Sequence, residues 1–287
     1  MSPIARIEGL SVAYKIRNGL FGAQKSLRAV NEVSLELHPG EILGLVGESG
    51  CGKSSLGKAI IRLVEPTSGK IEIAGVDFRQ LQGRALRNHR SNIQMVFQDP
   101  YASLDPRMTV ADILAEPLRA HGKYTAAQLD EKIAASLNRV GLRPQDAKRY
   151  PHEFSGGQRQ RVAIARALIL EPKIIIADEP VSSLDVSVQA QILNLLRDIQ
   201  RELNLTMLFI SHNLAVVKYL ADRIAVMYLG KIVEIGTREE LFANPQHPYT
   251  QALLAAVPIP DPLRERQRRR VPLKGEIPSA VNPPSDR

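Results

Sequence analysis

The stretch Gly47 to Ser54 reads G-E-S-G-C-G-K-S. It follows the apolar run Ile42 to Val46 and opens into helix-forming residues from Ser54 onward. A strand that ends in glycines and turns at once into a helix curls its backbone N–H groups inward, and the helix N-terminus adds partial positive charge to the same spot. Gly47, Gly50 and Gly52 supply the turn, Lys53 can reach the β- and γ-phosphates, and Ser54 can ligand a magnesium ion. Glu48, Ser49, Cys51 and Ser55 complete the stretch that would line a nucleoside triphosphate. A chance glycine-rich turn is the competing explanation, and the strand before and helix after weigh against it. Strands and helices must therefore alternate around a sheet that presents this loop.

Composition narrows the setting. The chain has 287 residues, 44% of them apolar, which is enough for one core with attachments. No run approaches the ~18 consecutive apolar residues of a membrane span, and Met1 to Arg6 has no apolar core of a signal peptide, so a cytosolic location is expected. Cys51 is the one cysteine, which excludes an internal disulfide and a Cys-paired metal site; within the loop it reads as a small residue. The net charge is +8, of which Arg264, Glu265, Arg266, Arg268, Arg269 and Arg270 contribute +4. A solvated basic run is the favoured reading over an RNA or lipid footprint, because only 5% of the chain is aromatic and could stack bases. No nucleic-acid partner is expected.

Taken in order, Ile4 to Tyr14 and Val33 to Leu37 alternate apolar with polar residues and predict half-buried antiparallel strands, with Lys15 to Arg28 between them as a surface excursion. Ile71 to Ile73 and Ile93 to Phe97 predict further strands. Thr125 and Gln128 form a capping box for a helix whose apolar face is Leu129, Ile133, Leu137 and Val140, with Gly141 as its C-terminal cap. Another helix is predicted to start at Ser155 and run through Val162, Ile164 and Leu168 until Pro172 stops it. Lys173 to Asp178 is an unbroken apolar run ending in a carboxylate, the pattern of a buried parallel strand. Asp185 predicts an N-cap for a helix that buries Ile192, Leu195, Leu196, Ile199 and Leu203. Thr206 to Ile210 predicts a buried strand, and Ile224 to Tyr228 with Lys231 to Ile235 a closing hairpin. Beyond Gly236 the chain is proline-rich and reads as an irregular appendage, separate from the nucleotide chemistry. The pattern predicts an α/β core with a largely parallel sheet.

A phosphate-binding loop is shared by many enzyme classes, so the downstream residues decide between them. Phe154-Ser155-Gly156-Gly157-Gln158-Arg159-Gln160-Arg161 resembles the signature of ATP-binding cassette (ABC) ATPases, and Ile174 to Glu179, Ser183-Leu184-Asp185 and His212 follow in that family's order. The resemblance covers residues 4 to about 236. It implies a P-loop NTPase cassette: a RecA-like core with an antiparallel β subdomain in residues 1–98 and 155–236, a helical signature subdomain in 99–154, and a C-terminal extension in 237–287. It implies ATP and Mg²⁺ as cofactors. Asp178 would hold magnesium with Ser54 and Gln98, Glu179 would polarise the attacking water, and Gln98 and His212 would sense the γ-phosphate. Ser155, Gly156, Gly157 and Gln158 would cap the nucleotide of an opposite subunit, with Asp185 beside them. Tyr14 resembles the family's adenine platform, with a plain strand tyrosine as the alternative. Tyr101, Leu104 and Met108 would form a groove for a membrane subunit, with burial in the helical insert as the alternative.

The tail refines the resemblance. Asn244-Pro245-Gln246-His247-Pro248-Tyr249-Thr250-Gln251-Ala252-Leu253-Leu254, Gly275 to Ser279 and Asn282-Pro283-Pro284 are similar to the C-terminal region of bacterial oligopeptide, dipeptide and nickel importer ATPases, and Asp261-Pro262-Leu263 looks like the second ATPase of such systems. That implies a related ATPase partner in a heterodimer, two transmembrane permease subunits and, indirectly, a substrate-binding protein. The location implied is peripheral, on the cytoplasmic face of the bacterial inner membrane. A soluble cassette ATPase outside transport is the alternative; such proteins usually carry two cassettes or long coiled-coil inserts, and neither pattern is present.

Overall fold

The computed structural model describes residues 2–17, 24–122 and 124–256. They divide into two compact units, one taking the chain up to residue 37, residues 42–79 and residues from 209 onward, the other residues 38–41 and 80–208.

In the first unit, β1 (Ala5–Arg17) and β2 (Gln24–Leu37) pair antiparallel from Ala5↔Leu37 to Arg17↔Gln24. In the expected excursion over Lys15 to Arg28, the described residues 15–17 and 24–28 are therefore paired strand: Tyr14, Lys15, Ile16 and Arg17 lie opposite Leu27, Ser26, Lys25 and Gln24. Backbone pairing sustains strands there although the residues do not alternate, because the ladder satisfies N–H and C=O groups whatever the side chains. β3 (Ile42–Val46) has all five residues buried and delivers the chain to the glycine loop, which enters α1 (Lys53–Ile60). β4 (Ser68–Ile73) and β5 (Val76–Asp77) complete a four-stranded antiparallel sheet of order β2-β1-β4-β5.

The second unit begins with α2 (Gly83–Arg90), which the sequence pattern does not reveal because it buries no residue and has no apolar stripe. β6 (Ile93–Val96), α3 (Pro100–Ser103), α4 (Val110–His121) and α5 (Ala126–Arg139) follow. The Thr125–Gln128 capping box forms as expected, Ile133, Leu137 and Val140 are buried, and Gly141 takes φ +71° just past the helix end. Asp146, in a 3-10 turn over Pro144–Lys148, accepts hydrogen bonds from Arg143 and Arg149 while only 4% exposed. Next come α6 (Gly156–Leu168), β7 (Ile174–Asp178) and α7 (Val186–Leu203). β6 and β7 run parallel, Ile93↔Ile174 to Val96↔Ala177. Ile174, Ile175 and Ile176 are all at most 1% exposed, and burial of each contributes about 1.5–3 kcal/mol. That burial fixes the end of the strand, and so the position of Asp178. On α7, Ile192, Leu196 and Ile199 are buried, but Leu203, at the last turn, is 37% exposed.

β8 (Thr206–Ser211) is buried throughout, and the division between the units falls within it. The first unit resumes with α8 (Leu214–Leu220), β9 (Arg223–Tyr228) and β10 (Lys231–Thr237). β9 lies parallel to β3, Leu43↔Arg223 to Val46↔Val226, and antiparallel to β10.

In its described part, residues 237–256, the segment after Gly236 is not the irregular stretch the prolines suggest. It forms α9 (Arg238–Ala243) and α10 (Pro248–Ala255), the first closed by a Thr237–Glu240 capping box, the second with Pro248 in its first turn. Proline is tolerated there because a first-turn N–H has no partner within the helix. Leu241, Tyr249 and Thr250 are buried. Asp261-Pro262-Leu263, the arginine run at 264–270, and the motifs at 275–279 and 282–284 lie outside the described residues. No helix among the described residues is long and apolar enough to cross a membrane.

Candidate functional site

The glycine loop between β3 and α1 is enclosed by its own unit. Gly230, at the β9–β10 turn, donates its N–H to the Cys51 carbonyl at 2.9 Å. At Gly52, φ is +110°, and a Cβ there would stand 2.1 Å from the Ala29 carbonyl oxygen of β2 and 2.9 Å from Met227 of β9. Only glycine fits both that dihedral and that approach. The Lys53 ammonium is buried and donates to the Gly47 and Glu48 carbonyls at 2.7 and 2.9 Å. No acidic residue stands in the first turn of α1. Buried cation, helix N-terminus and glycine cradle together fit a polyphosphate. Burial pushes the Cys51 thiol above its ordinary value, with Lys53 opposing, so at neutral pH it is a thiol and not a thiolate.

Tyr14, on β1, is half-buried and its hydroxyl bonds to Ser55 Oγ at 3.2 Å, which brings the aromatic ring beside the first turn of α1. His212 is exposed just after β8, where Ser211 and Asn213 shape the entry to α8: the Asn213 N–H donates to Ser211 Oγ, and Asn213 Oδ1 accepts from Ala215.

The second unit carries the acidic pair. Asp178 ends β7 and is 3% exposed; Glu179 follows at 9% exposure with φ +47°. A non-glycine residue in the left-handed region is strained, and Ser182 holds it by donating both N–H and Oγ–H to the Glu179 carbonyl. Gln98, two residues past the end of β6, donates its Nε2–H to Glu179 Oε2 at 3.2 Å. Parallel pairing of β6 with β7 thus joins two residues 81 positions apart.

Ser155 caps α6 reciprocally with Gln158, through Gln158 N–H to Ser155 Oγ and Ser155 N–H to Gln158 Oε1. Gly157 lets α6 approach α7 closely, since a Cβ there would stand 2.5 Å from Val188 Cγ1; Gly156 lies near Leu184. Asp185 occupies the N-cap position of α7, but its carboxylate makes no capping hydrogen bond, contrary to the expectation for it. Tyr101 is 63% exposed under the Arg159 guanidinium at 4.0 Å, whereas Leu104 is buried, so the expected groove residues do not share one surface.

Sequence reasoning missed Tyr249. The tail was expected to stand apart from the nucleotide loop, yet the Glu48 N–H donates to Tyr249 Oη at 3.0 Å. Neither periodicity nor spacing signals a contact across 201 residues; the segment His247-Pro248-Tyr249 is recognisable only as a motif.

Comparison with known proteins gives the family. Residues 30–182 match the ABC transporter family, and residues 233–285 match the oligopeptide/dipeptide transporter C-terminal region. The oligopeptide transport ATP-binding protein OppF of Salmonella typhimurium is 54% identical over 98% of this chain and 86% of its own length. AppF of Bacillus subtilis, another oligopeptide transport ATP-binding protein, is 54% identical over the same shares. Among solved structures, the dimeric post-hydrolysis state of the ATP-binding cassette MJ0796 bound to ADP and Pi superposes with a TM-score of 0.72 at 28% identity, over 82% of this chain and 98% of that one. The chain is a P-loop cassette of mixed α/β architecture and belongs to the ABC transporter family of ATPases.

Proposed function

We propose that the chain is the ATP-binding and hydrolysing subunit of a membrane importer for peptides. The observation that carries this reading is the oligopeptide/dipeptide transporter C-terminal region at 233–285 behind a cassette at 30–182. The full-length similarity to OppF and AppF supports it.

In this reading the N–H groups of the Gly47–Ser55 stretch, apart from that of Glu48, which donates to Tyr249, and the Lys53 ammonium hold the triphosphate, and Tyr14 stacks on the base. Ser54, Gln98 and Asp178 offer the oxygen ligands that a Mg²⁺ ion prefers, and that ion supplies charge neutralisation on the β- and γ-phosphates when bound. Glu179 accepts a hydrogen bond from the attacking water, and its anchored backbone aims the carboxylate. His212 donates toward the γ-phosphate. Positioning and charge neutralisation dominate such a phosphoryl transfer. Ser155, Gly156, Gly157 and Gln158, with Asp185, cap the nucleotide of a second, related ATPase subunit, so ATP favours a closed pair and hydrolysis reopens it. Two permease subunits, fed by a substrate-binding protein, would receive that motion on the cytoplasmic face of the inner membrane.

The test is reconstitution. The chain is purified from native membranes with whatever accompanies it, returned to proteoliposomes, and assayed for ATP-dependent uptake of labelled di- to pentapeptides. Uptake that requires both ATP and this chain is expected. Copurification without any membrane protein, together with ATP hydrolysis by the chain alone, would refute the importer assignment.

A further inference from the structure

The peptide unit joining Gly47 to Glu48 is held at both polar ends. Its carbonyl accepts from the Lys53 ammonium at 2.7 Å, and its N–H donates to Tyr249 Oη at 3.0 Å. A peptide group is a rigid plane, so its C=O and N–H turn together. Whatever fixes the N–H of Glu48 therefore also aims the Gly47 carbonyl at Lys53.

The hydroxyl that does this is itself well seated. Tyr249 is 3% exposed, and its ring lies against Tyr228 with centroids 4.3 Å apart and planes at 36°. The start of α10 is tied to β10, because the Glu234 carboxylate accepts from the N–H groups of Gln246 and His247 at 2.8 and 3.0 Å. His247 Nδ1 then accepts from the Tyr249 N–H at 3.1 Å. A chain of short contacts thus runs from β10 through α10 to the glycine loop. Burial raises the phenol above its ordinary range, so the acceptor is a neutral hydroxyl at every physiological pH.

We propose that Tyr249 is a positioning residue for ATP binding: its hydroxyl orients the Gly47–Glu48 peptide, and the C-terminal region thereby completes the phosphate cradle. The proposal rests on the reading of Gly47 to Ser54 as that cradle. Without the hydroxyl, the Glu48 N–H must find another acceptor, and any rotation of the peptide toward one turns the Gly47 carbonyl away from Lys53. The loop then has to be reordered by the nucleotide, which lowers affinity. Because the loop holds the phosphates before and during hydrolysis, the loss falls on KM for ATP and not on kcat. A merely structural role for Tyr249 would instead reduce the active fraction, lowering apparent kcat at unchanged KM.

The experiment compares Tyr249→Phe, which keeps the ring against Tyr228, with Lys53→Ala and the wild type, all as full chains. Binding of a fluorescent ATP analogue should weaken about five-fold in Tyr249→Phe, the worth of one hydrogen bond, and be lost in Lys53→Ala. Hydrogen exchange of the nucleotide-free chain should show a protected Glu48 amide in the wild type that opens in Tyr249→Phe. Wild-type affinity in Tyr249→Phe alongside lost binding in Lys53→Ala overturns the proposal and leaves the cradle intact. Wild-type binding in Lys53→Ala overturns the cradle reading itself. Should Tyr249→Phe fail to fold, the wild-type exchange decides: an unprotected Glu48 amide refutes the contact.

Discussion

Replacing Glu179 by glutamine separates the chemistry from everything else the site does. The substitution keeps shape and volume, and the left-handed backbone stays anchored by Ser182 through the Glu179 carbonyl. The Gln98 Nε2 donor at 3.2 Å finds the amide oxygen where it found the carboxylate. Exchanging one charge-assisted hydrogen bond for a neutral one, while removing a carboxylate only 9% exposed, holds the change in folding stability within about 1 kcal/mol. The phosphate cradle lies in another stretch of chain and is untouched, so ATP affinity should remain within about twofold, less than 0.5 kcal/mol. In the proposed mechanism, what disappears is the acceptor for the proton of water. Loss of a positioned general base costs roughly 10²- to 10⁴-fold, or about 2.7–5.5 kcal/mol in the barrier. Phosphate release measured at saturating ATP gives the rate, fluorescence of an ATP analogue gives the affinity, and gel filtration with the partner subunit should show an ATP-locked dimer. Turnover at the wild-type rate would remove Glu179 from the chemistry. Lost binding with a folded chain would show that the two halves of the argument are not separable.

Two further outcomes follow from local geometry. Tyr14→Ala should weaken ATP by about 1–3 kcal/mol if the ring stacks on adenine, by analogy with bases on aromatic side chains, whereas Tyr14→Phe, which loses only the bond to Ser55, should stay close to wild type; calorimetric titration of both returns Tyr14 to a strand role if the alanine variant binds normally. Asp146 carries a pH dependence: burial alone would raise its carboxyl, but hydrogen bonds from Arg143 and Arg149 outweigh that and hold it below the usual range. A depressed folded value means that the stabilisation is present above the unfolded value near pH 4 and is lost as pH falls through the folded one. Asp146→Asn should therefore cost about 1–2 kcal/mol at neutral pH, with the gap to wild type closing below about pH 4; thermal melts at pH 7 and pH 3 that differ equally between the two proteins would contradict this.

Much of the site can be read from local sequence because its parts are local. The triphosphate loop needs glycines, a lysine and a serine within eight residues, and the capping boxes at Thr125 and Ser155 each close within four. The strand Ile174 to Asp178 announces itself because a run buried on both faces must be apolar throughout. Periodicity fails where the stabilising interaction is not carried by side-chain pattern. The β1–β2 hairpin persists through Lys15 to Arg17 on backbone pairing, α2 has no buried face to leave a stripe, and Asp185 has the identity of a cap without the bond.

Long-range proximity belongs to the tertiary structure alone. Gln98 meets Glu179 because β6 and β7 are paired, and no residue in either stretch encodes the other's register. Gly52 must be glycine for a reason the loop motif does not contain: the Ala29 carbonyl and Met227, from two other strands, crowd its Cα. Tyr249 is the extreme case, a residue in a proline-rich tail whose hydroxyl reaches the second residue of the phosphate loop. Sequence fixes which groups are available and which short segments can form, since turn, cap and burial preferences act within a few residues. Which distant groups then share a hydrogen bond is decided by the packing of whole elements, because only their joint burial sets the distances to within a few tenths of an ångström.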